Sequence, residues 1–392
     1  MESNRKIATV QMGSWRRRSG RSTRKCLIAV LVVVVTAAGL VILMGAVEQA
    51  ASPGTAGVQA ELNWHRHSSM ADDHTSPDLQ KGPGIVVVKV SKSESLLERL
   101  LNGAGVSNII TLDMNQPASS DVTCFHTKTE PSYAVCPHPS TLDRHISNQL
   151  RTEGVWQPRT LALLATALHH YPSSTLVDVG AHVGVFSLYG ARLGATVLAV
   201  EPVWTSAVRL HAGAAAGGVS GRVKILFHAM TGEATQVKLK YKDGNLGGTS
   251  VVEVTPQDAD SPRSSGRPEL ITSITLDSLS PLISNTSVII LKIDTEGREC
   301  DTISGGRELL TSHFTPYIFM EWAVMANNRH KYHAPCSPNH LQEMVEWLTS
   351  RGYHAHISKS GAPLIPAKVD SWRVGDIYWK HSTAPSLHPS AH

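Results

Sequence analysis

Three groups of residues have the types and spacing to do chemistry. In "DVGAHVG", Asp178 stands two residues before Gly180, and Gly184 follows four residues after it. Glu201 ends the next apolar run, 21 residues beyond Gly180. "LKIDTEG" places Lys292, Asp294 and Glu296 on alternate positions, and Glu321 closes the apolar run before Trp322. A glycine turn after an apolar strand lets a ligand approach bare backbone. A carboxylate at the end of the second strand faces the same crevice. It can accept two ribose hydroxyls in charge-assisted hydrogen bonds worth about 1.5–3 kcal/mol each.

The turn reads GxxxG, with His182 where a pyrophosphate-binding GxGxxG turn carries its second glycine. Asp178, pointing into the turn, would repel a pyrophosphate and suits an ammonium. The ligand therefore reads as a nucleoside with a cationic amino-acid tail, such as S-adenosylmethionine. The Asp294/Glu296 pair has two further readings. An acid-x-acid motif can hold a divalent ion on a nucleotide sugar, as in a glycosyltransferase. Acids at a helix start also complement its dipole, for about 0.3–1 kcal/mol. Methyl transfer to a hydroxyl needs the acceptor oxygen positioned, which can supply about 7–11 kcal/mol of the barrier. It also needs a group to take the hydroxyl proton. Asp294 is the first candidate for that base and Glu321 the second.

These residues fall on an alternating pattern. "TLVDV", "ATVLAVEP", "VKILFHAM", "VIILKID" and "PYIFMEW" read as strands. "PRTLALLATALHH", "VFSLYGARLG", "WTSAVRLHAGAAAGG" and "ECDTISGGRELLTS" read as helices between them. Alternation of this kind predicts an α/β fold with a mostly parallel sheet covered by helices. "VKLKYKD" and "TSVVEV" predict a hairpin turning across "GNLGG", followed by a Ser/Pro/Arg linker.

The N-terminus has a different character. Residues 26–47 form a run of 22 without a charge, long enough as a helix to cross about 30 Å of hydrocarbon. Eight basic residues and one acid precede it. The expectation is a signal anchor with a cytosolic N-terminus, which puts the rest of the chain in the Golgi or endoplasmic reticulum lumen. A cleaved signal and an organelle transit peptide are the alternatives. Without the basic tail, 28 basic face 31 acidic residues, and no basic tract with interleaved aromatics follows, which excludes nucleic acid as a partner. Beyond the span, Cys124 and Cys136 can close a small loop, and Cys300 can reach Cys336 only if the fold brings them together. Asn285-Thr286-Ser287 is a glycosylation sequon. The expected organisation is a basic tail (1–25), the span (26–47), a flexible stem (48–84), an N-terminal extension (85–143), the main domain (144–381) and a flexible tail (382–392).

The chain resembles the FkbM-type S-adenosylmethionine-dependent methyltransferases. The resemblance rests on "LVDVGAHVGVFSLYGARLGATVLAVEP", "NLGGTSV", "TLDSL", "IILKIDTEGRECDTISGG" and "FMEW", in that order. It implies a class I methyltransferase, Rossmann-like fold with S-adenosylmethionine as cofactor and no metal. Asp178, Gly180, Ala181, His182 and Gly184 would wrap the methionine end, Glu201 would hold the ribose, and Ala229 and Met230 would lie near adenine. Position 182 often carries Asn in the family pattern. Lys292, Asp294 and Glu296 would sit where cofactor and acceptor meet, and Asn245 near the acceptor. The activity so implied is methylation of a hydroxyl, and a lumenal position suggests one on a glycan. A metal-dependent glycosyltransferase, a nicotinamide-dependent dehydrogenase and a tethered binding protein without turnover are the competing functions. The missing GxGxxG disfavours the dehydrogenase.

Overall fold

The computed structural model describes residues 25–36, 39–50, 85–88, 109–119, 121–254, 270–283, 288–330 and 334–388. Two compact units divide the chain, residues 1–59 and 60–392. In the first, β1 (Lys25–Thr36) and β2 (Gly39–Ala50) form an antiparallel hairpin. The expected membrane helix over residues 26–47 is therefore not found. No helix among the described residues is long and apolar enough to cross a membrane. The run's length suits a span, but "VLVVVVT" is a run of Val, whose branched side chains fit strands better than helices. The stem beyond residue 50, the Ser/Pro/Arg linker and the sequon all lie outside the described residues.

Among the described residues, the second unit is built on a sheet of nine strands. In chain order its first strands are β3 (Ile85–Val88) and β4 (Ile109–Leu112), followed by a small separate pair, β5 (Phe125–His126) and β6 (Ala134–Val135). Helices α1 (Ile146–Glu153) and α2 (Pro158–His170) lead into β7 (Thr175–Val179), α3 (Val185–Arg192), β8 (Thr196–Val200), α4 (Trp204–Ala216) and β9 (Val223–Leu226). After a second sheet of β10 (Ala229–Met230), β11 (Gln236–Lys242), β12 (Asn245–Glu253) and β13 (Leu270–Ile274), the main sheet resumes at β14 (Val288–Ile293). Helices α5 (Glu299–Ser304) and α6 (Arg307–Ser312) precede β15 (Phe314–Glu321). Finally come α7 (Ala323–Asn328), α8 (Pro338–Ser350), β16 (Tyr353–Ile357) and β17 (Asp376–His381).

The order across the main sheet is β16-β17-β15-β14-β7-β8-β9-β4-β3. The centre, from β15 to β9, is parallel, and β17 runs antiparallel between β15 and β16. The central strands are apolar throughout because both faces are covered. Leu176 packs into the core on one face, and its neighbours Val177 and Val179 into the core on the other. This is the class I methyltransferase arrangement expected from the sequence.

Four local expectations change. The hairpin turns at Asp243-Gly244, with Lys242 opposite Asn245 and Gly244 at φ +65°, so "NLGG" lies inside β12. A two-residue Asp-Gly loop matches strand twist. The strand read as "VKILFHAM" breaks at Phe227-His228, and β10 joins the second sheet beside β13. His228 causes the break. Its buried ring receives the Ile110 N–H at Nε2 (2.7 Å) and bonds the Thr272 carbonyl through Nδ1 (2.9 Å). The expected helix "ECDTISGGRELLTS" is two, divided at Gly305-Gly306. The tail is anchored through residue 388, where Leu387 is buried and the Tyr317 hydroxyl donates to the Pro385 carbonyl at 2.8 Å. Disulfides join Cys124 to Cys136 and Cys300 to Cys336.

Candidate active site

The parallel strands β7, β8 and β14 end together, and the turns leaving them surround a cleft of about 490 Å³. Gly180 follows β7 at φ +79°, and a Cβ there would lie 1.8 Å from the Asp294 carbonyl oxygen. Glycine is therefore required twice, for its conformation and for the backbone of the β14 turn pressed against it. Asp294 N–H donates to the Val179 carbonyl (2.9 Å), and Gly180 and Ala181 N–H both donate to the Val200 carbonyl. These bonds lock the three turns together.

Glu201 is 3% exposed and lines the cleft. Its two oxygens accept one amide each, from His182 and Val203, both at 2.7 Å. Burial pushes its carboxyl up to about 8, against the pull of those two amides. His182 has φ +50° and lines the same cleft. Neither ring nitrogen has a hydrogen-bond partner, although Nε2 lies 3.7 Å from the buried Asp143 carboxylate. Burial lowers the His182 pKa despite Asp143 and Asp294, which keeps the ring neutral. Met230, Val203, Leu246 and Val251 add apolar walls.

At the other end stand the acids. Asp294 and Glu296 line the cleft, and Glu321 joins them with one oxygen of each residue within 4.8 Å of the others. Lys292 Nζ, 2% exposed, donates to Asp294 Oδ2 at 2.9 Å. Burial depresses the Lys292 pKa, but Asp294, Asp376 and Asp178 outweigh it and hold it raised. Lys242, at the tip of β11, bonds Glu296 at 3.0 Å. Burial and then Asp294 raise the Glu296 pKa. Burial, then Asp294, Glu296 and Glu299, push the Glu321 carboxyl up to about 11, and its Oε2 has no hydrogen-bond partner. The trio is also the cation-binding group the structure offers among the described residues, with hard oxygen donors suited to a divalent ion.

Comparison with known proteins bears on the family. Residues 178–355 match the family model of the methyltransferase FkbM domain. The chain carries a methyltransferase FkbM domain. Among curated proteins no relative matches. Solved structures that align include an O-methyltransferase from Bacillus cereus in complex with SAH (12% identity, 62% of this chain, 92% of that one, TM-score 0.35). A SAM-dependent O-methyltransferase from Thermotoga maritima aligns at 12% identity over 65% of this chain and 75% of that one, with TM-score 0.30. A putative O-methyltransferase from Klebsiella pneumoniae aligns at 14% identity over 63% and 92%, with TM-score 0.35.

The resemblance implies S-adenosylmethionine as cofactor, and the cleft has the features to take it. Glu201 keeps lone pairs beyond its two amide bonds, His182 presents two unpartnered buried nitrogens, and Gly180 leaves the backbone bare. The domain brings Gly180, His182, Glu201, Met230, Asp294 and Glu296 to one lining. It sets Asp178, Ala181, Gly184, Ala229, Lys292 and Glu321 outside that lining. Asp178 is the main departure from the sequence reading. It lies 1% exposed beneath the turn, where Ser187 Oγ donates to it at 2.5 Å, and it pairs in register with Lys292. Gly184 starts α3 at φ +87°, with a Leu210 side chain where a Cβ would go.

Several residues of the FkbM domain escaped the sequence reading. Glu299, fully buried, accepts the N–H groups of Thr295 (2.9 Å) and Gly297 (3.2 Å) and so holds the acid loop in shape. Burial pushes its carboxyl up to about 7. Leu246, Gly247 and Thr249 of β12 wall the cleft, whereas Asn245 lies outside the lining and accepts the Gly248 N–H. The signal available for Glu299 was its place three residues after Glu296 at a helix start, where a carboxylate caps free amides.

Proposed function

We propose that the chain is an S-adenosylmethionine-dependent O-methyltransferase acting on a sugar hydroxyl in an oxidising compartment. The observation that carries the reading is one cleft, inside the FkbM match, with a ribose-binding carboxylate at one end and an acid cluster at the other. When bound, S-adenosylmethionine would supply an electrophilic methyl on its sulfonium. Glu201 would accept the ribose hydroxyls, and Met230, Val203 and Leu246 would flank the base. Asp294, one oxygen held by Lys292, would take the hydroxyl hydrogen of the acceptor at its other oxygen. Protonated Glu321 would orient that hydroxyl. A dehydrogenase reading has no support in the turn, where His182 occupies the second glycine position.

The two disulfides support the compartment, because such bonds persist in oxidising surroundings. A membrane tether at residues 26–47 is supported by the charge-free length and the basic flank alone. Titration of S-adenosylhomocysteine into the chain, with Glu201→Ala alongside, tests the function. Binding near micromolar is expected, about −8 kcal/mol. The variant should lose at least tenfold, since a charge-assisted hydrogen bond is worth about 1.5–3 kcal/mol. Equal affinities for the two proteins would remove the cofactor assignment. A second reading rests on the acid trio, which could hold a divalent ion that positions the acceptor. Activity abolished by a chelator and restored by manganese would favour it.

A further inference from the structure

A second, larger pocket of about 1050 Å³ opens between the start of α2 and the turns around β16 and β17. Three cations line it, Arg159, Lys359 and Arg373, against one acid, Asp376. All three are exposed and none makes an ion pair among the described residues, although Arg373 donates to the Asp370 carbonyl. The 13-residue helix α2 begins here without a side-chain cap and with no acid in its first turn. Pro158 removes one of its free amides, and those of Arg159 and Thr160 remain for an anion.

An independent observation points to a ligand. Ser358 lines the pocket, is 4% exposed, and its Oγ has no hydrogen-bond partner. A buried hydroxyl without a partner costs stability unless something binds it.

The pocket adjoins the acid end of the catalytic cleft. Asp376 faces Glu321 in the β15–β17 register and lies in the field of Lys292 and Asp294. From these placements we propose that the pocket binds an anionic group, a carboxylate, sulfate or phosphate, carried by the sugar whose hydroxyl is methylated. The proposal rests on the methyltransferase reading and names its acceptor class. Arg159 and Arg373 would hold the anion in forked hydrogen bonds, Lys359 would add charge, and Ser358 Oγ and the first-turn amides of α2 would complete the contacts. A neutral sugar would leave these donors facing water and gain nothing from them.

The test is calorimetric titration of the full chain, saturated with S-adenosylhomocysteine, with glucuronate, glucose 6-sulfate, glucose 6-phosphate and glucose. The comparison protein is Arg159→Gln/Lys359→Gln/Arg373→Gln, changed only at exposed positions, and Ser358→Ala is a second variant. At least one anionic sugar should bind at least tenfold more tightly than glucose, and which one binds best identifies the anion. The triple variant should weaken that binding at least tenfold, Ser358→Ala a few-fold, and both should keep their S-adenosylhomocysteine affinity within about twofold. Glucose binding as tightly as the anions, no anion binding, or anion binding indifferent to the triple variant would each overturn the proposal. Failure of S-adenosylhomocysteine to bind the unaltered chain would instead defeat the cofactor reading, which the anion titrations, repeated without it, do not depend on.

Discussion

Cofactor affinity should rise with pH, and Glu201 sets the range. Burial pushes its carboxyl up to about 8 in the free protein. The ribose hydroxyls donate, so the form that binds them best is the ionised one. At pH 7, one unit below that value, roughly a tenth of the population is ionised. Binding must then expel a proton, at a cost of about 1.4 kcal/mol relative to pH 9. The sign follows directly: affinity increases about tenfold from pH 7 to pH 9, flattens above, and falls about tenfold per unit below pH 7. Titration of S-adenosylhomocysteine at pH 7 in buffers of different ionisation enthalpy should show release of close to one proton. Glu201→Gln, which cannot ionise, should bind weakly and without that release. Affinity constant from pH 6 to 9, or proton uptake on binding, would refute the argument.

Two further outcomes are expected. Gly180→Ala should unfold at lower temperature and lose cofactor binding, because the new Cβ meets the Asp294 carbonyl at 1.8 Å and φ is +79°. The cost should be at least about 1–3 kcal/mol, read from a denaturant titration, and an unchanged midpoint would contradict the close approach. Replacing Cys300 and Cys336 together by Ser should cost about 2–5 kcal/mol, since the bond closes a separation of 36 residues between the acid-loop helix and the segment before α8. Thermal melts with and without reductant would show it, and equal melting temperatures would argue that the pair is not bonded.

The strands and helices around the cleft were legible because each is a short, nearly pure run. "TLVDV" and "TVLAV" are apolar on both faces, which only a covered parallel sheet explains. The turn residues Gly180 and Gly184 and the strand-end acids Glu201 and Asp294 stood at positions that the alternation fixed in advance. What escaped depends on contacts between distant segments. His228 ends a strand by bonding Ile110, 118 residues away, and no periodicity records that. Nothing local to Asp178 shows Ser187 reaching back from α3 to donate to it. The hairpin was misplaced because "NLGG" has more glycine than Asp243-Gly244, yet strand pairing favours the two-residue loop. Residues 26–47 have the charge-free length and basic flank of a span, yet their Val content favours strands.

The contact between Gly180 and the Asp294 carbonyl has a consequence for recombination. Residues 175–184 and 288–297 are far apart in the chain, yet they share one backbone interface with no room for a methyl group. A chimera that takes one of these segments from a divergent methyltransferase and leaves the other native would join two turns shaped for different partners. Productive exchange of acceptor specificity should therefore swap β11–β12 as a cassette, with both junctions between the two turns, or cross over beyond β15, so that the two turns are inherited as a pair.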